Sequence, residues 1–260
     1  MRRIAVLCIF VLLCIAVGCA GEQDQASQET TSSSEETSPE ETSSGQSSST
    51  SSSERTSQLE TAVSSETEPA PIELSGNGDI VTDTFDLESG LAIFRMSYQG
   101  ERNFIVNLLG EPGPSANGVL LANKIGSFQG SEASQTHAGP HVLDVQASGP
   151  WTITIEQPRT SSAPETANYT YHTGTTATDF FHLGQGLKRF DMTHQGSKNF
   201  IVWLLDKNGA RVTGGLLANE VGSYEGSRAI QVPRDDIYLL QVEADGTWSV
   251  KAEGLNLGSS

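Results

Sequence analysis

Five histidines, three cysteines and thirty-two acidic side chains are the raw material for chemistry in this chain. Cys8, Cys14 and Cys19 all fall in the first nineteen residues. The remainder therefore has no thiol for a disulfide, a cysteine-ligated zinc or a cysteine nucleophile. His137, His141, His172, His182 and His194 include no pair at the spacing of metal ligands. Carboxylates are plentiful, but no Asp-x-Asp-x-Asp run offers a calcium loop. Neither a Gly-x-Ser-x-Gly elbow, a His-Glu-x-x-His helix nor a phosphate loop is present. "GSFQGS" (Gly126–Ser131) and "GSYEGS" (Gly222–Ser227) are rich in glycine but lack the lysine and following helix of a phosphate loop, and read as tight turns. The expectation is no catalytic residue, no metal site and no cofactor.

What must position these side chains is written twice. "QGERNFIVNLL" (Gln99–Leu109) returns as "QGSKNFIVWLL" (Gln195–Leu205), ninety-six residues later. Residues 84–135 align with 180–231 at that offset, with 26 of 52 positions identical. The offset becomes 97 for "VLDVQASGPWTI" (Val142–Ile153) against "LLQVEADGTWSV" (Leu239–Val250). An internal duplication outranks other fold signals. No histidine and no acidic pair holds the same place in both copies, so the chemistry-bearing residues are not what the duplication preserves. Asn103/Asn199 and Asn123/Asn219 are preserved, and read as turn-capping side chains.

Within each copy the period is two. Phe94, Met96 and Tyr98 alternate with Arg95 and Ser97, and Trp151, Ile153 and Ile155 alternate with Thr152, Thr154 and Glu156. Phe190, Met192 and His194 do the same in copy two, as do Trp248, Val250 and Ala252. Alternation with turn signals such as "DKNG" (Asp206–Gly209) and "ADGT" (Ala244–Thr247) predicts strands and hairpins. Seven or eight short strands per copy imply an all-β chain of two tandem β-sandwich or jelly-roll-like domains. The predicted bounds are 76–158 and 176–254, with a polar linker at 159–175. The predicted core comprises Phe85, Leu87, Leu91, Phe94, Met96, Phe104, Val106, Leu108, Leu143, Val145 and Trp151. Its counterparts run from Phe181, Leu183 and Leu187 to Leu240, Val242 and Trp248.

Outside the repeats the sequence reads as an address. Arg2 and Arg3 precede an uninterrupted apolar run, Ile4–Val17, too short to span a bilayer but suited to a signal peptide over residues 1–18. "AVGC" (Ala16–Cys19) resembles the bacterial lipobox, a resemblance that implies lipidation of Cys19 and anchoring at the outer face of the membrane. Cleavage near Ala20 by an ordinary signal peptidase is the alternative. Residues 19–73 are dominated by Ser, Thr and Glu, with twelve acids against one base in 21–73, and are expected to form a disordered tether. The formal net charge of the whole chain is −17, which argues against a nucleic-acid partner.

The "F-x-L-x-x-G" opening of each copy, its "F-x-V/I-x-L" strand and its late tryptophan strand resemble the pre-peptidase C-terminal-like extracellular domains. That resemblance implies a secreted β-sandwich appended to a surface protein. The functional expectation is a non-enzymatic surface lipoprotein that binds a glycan or a surface protein, with a spacer or envelope-protein inhibitor as the alternative and a hydrolase as the remote one. The residues singled out for binding are Trp203 and its counterpart Asn107, where two otherwise matching strands differ. Trp203 reads either as an exposed aromatic platform or as a side chain packed under a loop or against the other copy.

Overall fold

The computed structural model describes residues 68–110 and 118–254. Among the described residues every regular element is a strand. The first copy is built from β1 (Ile72–Asn77), β2 (Ile80–Val81), β3 (Phe85–Leu87), β4 (Gly90–Tyr98) and β5 (Asn103–Leu109). It continues through β6 (Val119–Ile125), β7 (Phe128–Thr136), β8 (Gly139–Gln146) and β9 (Pro150–Glu156). The second copy repeats the series as β10 (Asn168–Thr173), β11 (Thr176–Ala177), β12 (Phe181–Leu183), β13 (Gly186–Gln195) and β14 (Asn199–Asp206). Its last four strands are β15 (Arg211–Val221), β16 (Tyr224–Val232), β17 (Asp236–Glu243) and β18 (Thr247–Gly254).

Each copy folds into two antiparallel sheets with one topology. Copy one has the order β1-β9-β4-β7 in one sheet and β2-β8-β5-β6 in the other, with β3 also on β8. Copy two reproduces this as β10-β18-β13-β16 and β11-β17-β14-β15, with β12 on β17. The registers agree as well: Phe94 faces Glu132 where Phe190 faces Arg228, and Asn107 faces Asp144 where Trp203 faces Gln241. A one-residue slip would turn every side chain to the wrong face, so these pairings fix which residues of the two copies are equivalent.

The alternation places the cores as read. Phe94, Met96, Phe104, Val106, Leu108, Trp151 and Ile153 pack together in copy one, and Phe190, Met192, Phe200, Val202, Leu204, Trp248 and Val250 in copy two. Each tryptophan also satisfies its indole N–H: Trp151 donates to the Gly78 carbonyl at 3.1 Å and Trp248 to the Gly174 carbonyl at 2.9 Å. The strand carrying Trp203 lies between β17 and β15, inside its sheet, as its two partly apolar faces require. Gly126 and Gly222 adopt φ of 82° and 89° at the bends before β7 and β16, a left-handed backbone suited to glycine, whereas the rest of each run predicted as a tight turn, Phe128–Ser131 and Tyr224–Ser227, is strand. The turns before Trp151 and Trp248 also need glycine, because a Cβ on Gly149 would meet the Gln99 carbonyl oxygen and one on Gly246 the Gln195 carbonyl oxygen.

The structure corrects several expectations. Among the described residues each copy has nine strands rather than seven or eight, because β2 and β3 are too short to show a period. Copy one begins at Ile72, inside the stretch whose composition marks a tether. Copy two begins at Asn168, inside the predicted linker 159–175, and β10 pairs with β18 as β1 does with β9. "NYTYHT" matches "IELSGN" at no position, so identity could not reveal the equivalence. Asn123 and Asn219 lie exposed within β6 and β15 rather than in turns, and Asn103 and Asn199 open β5 and β14. Leu91 is buried outside its sandwich core, and its counterpart Leu187 is only half-buried. The predicted segments 1–18 and most of 19–73, including Cys19, lie outside the described residues.

Candidate functional site

Leu91 leads to the feature that distinguishes the copies. It belongs, with Ile93 and Ala133 of copy one, to a third apolar cluster completed by Ala177, Leu205 and Leu239 of copy two. Phe180 and Trp203 pack against it. Both sandwiches fall in one compact unit, Thr61–Ser260, and this cluster joins them. Alternation explains the geometry. Phe94 and Met96 point into copy one, so Leu91 and Ile93 stand on the outer face of the β4 sheet. Val202 and Leu204 point into copy two, so Trp203 and Leu205 stand on the outer face of the β14 sheet. The junction is therefore heterologous, with one kind of face from copy one against the other kind from copy two.

Polar contacts frame the apolar centre. Gln241, buried beside Trp203, accepts a hydrogen bond from the Ala133 N–H at 2.9 Å. Its amide nitrogen donates to the Ser131 carbonyl at 3.1 Å and to Glu132 Oε2 at 2.9 Å. The Ser131 N–H donates to the Thr175 carbonyl at 3.2 Å, and the Ala177 N–H to Ser131 Oγ at 2.9 Å, so residues 175–177 run along the free edge of β7. Lys124 and Glu243 close one side as an ion pair at 2.7 Å. Trp203 carries the Arg211 guanidinium 4.2 Å from its ring centre, a cation–π arrangement. Beside it lies a cleft of about 390 Å³ that Leu120, Glu132, Trp203, Arg211 and Gln241 help to line. Burial, reinforced by Glu243, raises the Glu132 carboxyl to about 8, against the opposing pull of Lys124 and Arg211.

Trp203 is thus a half-buried part of the junction with one face under a guanidinium. Asn107 lies elsewhere, half-buried at the same place in copy one, and the two residues do not meet. Around Asn107 the outer face of the β5 sheet is open and partly apolar. Ile105, Leu109 and Val142 are half-buried, Val81 is 62% exposed, and Ile125 is 80% exposed. In copy two the counterpart of Val81, Ala177, is 5% exposed.

The histidines are engaged structurally. His141 is buried with Nδ1 2.8 Å from the Gly139 carbonyl, and His172 stacks on Trp248 at 5.0 Å. His182 sits between Glu165 at 3.0 Å and Asp235 at 2.6 Å near the surface. Among the described residues no group of three or more His, Cys, Asp or Glu is placed to hold a metal ion. Glu132, Gln241 and Arg211 were missed by the sequence reading, which gave weight to identity between the copies. The signal lay in the differences: Glu132 stands opposite Arg228, and Gln241 opposite Asp144.

Fold and junction together define a tandem β-sandwich protein. No family model and no curated protein matches the chain. A solved structure, described as the crystal structure of PBSX exported protein XepA, is similar over 72% of this chain and 84% of that chain, at 11% identity and a TM-score of 0.25.

Proposed function

We propose that this chain is a non-enzymatic, lipid-anchored surface protein that displays two β-sandwich modules for binding outside the cell. The observation that supports binding is the open face around Asn107. Its equivalent in copy two holds another protein surface through apolar side chains, an amide and strand-edge hydrogen bonds. An exposed, partly apolar sheet face suits an interaction site, and this one suits protein rather than glycan, because its centre is Asn107, flanked along β5 by Ile105 and Leu109 and across the sheet by Asp144, with no aromatic ring. The anchor rests on the basic-apolar-"AVGC" order of the first nineteen residues.

Two experiments test the parts separately. Cys19→Ser should move the chain from membrane to soluble fractions; equal processing and release of both forms defeats the anchor. Leu109→Lys places a charge on the open face without entering the core. Binding of the chain to intact cells should be protease-sensitive and should fall with Leu109→Lys at unchanged thermal stability. A glycan-array signal lost in Trp203→Ala and kept in Leu109→Lys defeats the protein-facing reading.

A further inference from the structure

We propose that the chain associates head to tail with copies of itself, repeating between molecules the junction that joins its own two sandwiches. The proposal rests on the reading of the Asn107 face as a protein-binding face and identifies the protein as a second copy. A heterologous junction between duplicated domains consumes one face of each and leaves the complementary two unused. Here the outer face of the β4 sheet holds the outer face of the β14 sheet. Among the described residues, the outer faces of the β5 sheet in copy one and the β13 sheet in copy two are uncovered except where Leu120, opposite Asn107, borders the junction cleft.

The free faces retain the parts that make the internal junction. Leu91 corresponds to Leu187, Ser131 to Ser227 and Ala133 to Ala229 on one side; Leu205 corresponds to Leu109 and Leu239 to Val142 on the other. Ser131 and Ala133 are buried by the junction, whereas Ser227 and Ala229 are exposed. The edge of β7 is occupied by residues 175–177. The matching edge of β16 carries Ser227 at the same register, and the segment equivalent to 175–177 is Asp79–Val81, whose valine is exposed.

At two places the free faces differ from the used ones in a paired way, whereas the Lys124–Glu243 ion pair of the junction becomes Glu220 and Gln146. The internal contact Glu132–Gln241 becomes Arg228, at the β16 edge, and Asp144, on the β5-sheet face, opposite charges at positions that touch in the junction. Ile93 and Trp203, in one apolar cluster, become Arg189 and Asn107, both polar. One face changing alone would place a charge against an apolar wall, whereas the two change in step. The Arg189–Asp191 ion pair on the β13 sheet is no obstacle, since the used β4 sheet carries one of its own, Arg95–Glu156. A heterologous contact of this kind closes into a ring or continues as a filament.

The test is sedimentation velocity of the full chain, purified in detergent, as wild type, Asp144→Arg, Arg228→Asp and the double exchange. Both positions are on the surface, and thermal melting checks the fold of each variant. Wild type should associate, and either single exchange should weaken association by about tenfold or more. The double exchange should restore it, because the guanidinium introduced on the copy-one face of one chain then meets the carboxylate introduced on the copy-two face of the next. Wild type that stays monomeric at about 100 µM, where a micromolar interface is filled, overturns the proposal, as does a double variant as weak as the singles. Loss of cell binding in Asp144→Arg but not in Arg228→Asp also overturns self-association, and leaves the protein-binding reading of the copy-one face intact.

Discussion

His194 Nε2 lies 3.3 Å from Asp245 Oδ1 in copy two, where Tyr98 Oη lies 2.7 Å from Ser148 Oγ in copy one. The rings occupy one kind of hole: Tyr98 stacks on Phe104 and His194 on Phe200, each at 4.8 Å and nearly parallel. His194 Nδ1 is 2.8 Å from the Gly222 carbonyl, which makes it the donor there; Nε2 faces Asp245 but is buried without a hydrogen-bond partner. The pair has been exchanged as a unit. We expect Asp245→Ser alone to lower the melting temperature by roughly 4–8 °C, the scale of one lost hydrogen-bonding group in a small domain. The double variant His194→Tyr/Asp245→Ser should recover the part of that loss that comes from the ring contact, while the bonds from Ser197 and Lys198 stay lost. Additive losses in the double variant, read by thermal melting, count against a coupled pair.

The same carboxylate sets an acid limit. Asp245 accepts from the Ser197 N–H at 3.0 Å, the Ser197 hydroxyl at 3.0 Å and the Lys198 N–H at 3.1 Å. The Ser197 N–H is the largest influence holding the carboxyl down at about 2. A carboxyl lowered on folding stabilises above its unfolded value and loses that contribution as pH falls through the folded one. Asp245→Asn should therefore be less stable than wild type at pH 5, and the gap should narrow between about pH 4 and pH 2. A gap constant across that range excludes Asp245 as its source.

Glu132 has the opposite sign. Raised to about 8 by burial and by Glu243, it favours the protonated form in the folded chain. Its contribution is full below the ordinary carboxylate value and declines by up to ~1.4 kcal/mol per pH unit as pH rises toward 8. Glu132→Gln keeps the shape and removes the titration. It should match wild type near pH 4.5 and exceed it in thermal stability near pH 8. Parallel pH profiles for the two proteins mean that Glu132 ionises freely in the junction.

Trp151 and Trp248 are fully enclosed at equivalent places, each closing its sandwich beside the glycine turn that follows β8 or β17. Truncation to alanine removes the largest buried side chain of that copy and should cost about 3–5 kcal/mol, enough to unfold a domain of this size. Wild-type melting in either variant means that the surrounding core refills the space.

The sandwich was legible because β-branched and aromatic residues alternate with polar ones and because the copies agree at the positions that fill the cores. The duplication revealed Trp151, Phe94 and Phe104 together with their counterparts. It concealed the junction, since a heterologous contact places unlike residues against each other. Leu91 is apolar like the core, but it shares the parity of Arg95 rather than of Phe94; alternation turns it outward, and only packing shows that this outer face is buried against Leu205 and Leu239. β10 was hidden for a related reason: Asn168–Thr173 is an edge strand whose polar residues read as linker. Among the residues singled out for binding, Trp203 lines the junction cleft and Asn107 marks the open face, so the substitution between them records which face is occupied.

That assignment can be tested through Trp203 itself. Its indole packs against the Leu91–Leu239 cluster and beneath Arg211, not within either sandwich core. Trp203→Ala should leave the two cores folded and loosen the junction, at a cost of about 2 kcal/mol for a half-buried aromatic. The amides of Ser131 and Ala133 are the reporters, because they donate across the junction to Thr175 and Gln241. Their hydrogen exchange should quicken by tenfold or more, on the order expected from that cost, while the amides of Phe104 and Val106 stay protected. Trp203→Asn, the residue copy one carries at this place, should behave similarly. Unchanged exchange at Ser131 and Ala133 would mean that the hydrogen bonds of Gln241 and the 175–177 edge hold the sandwiches together without the indole.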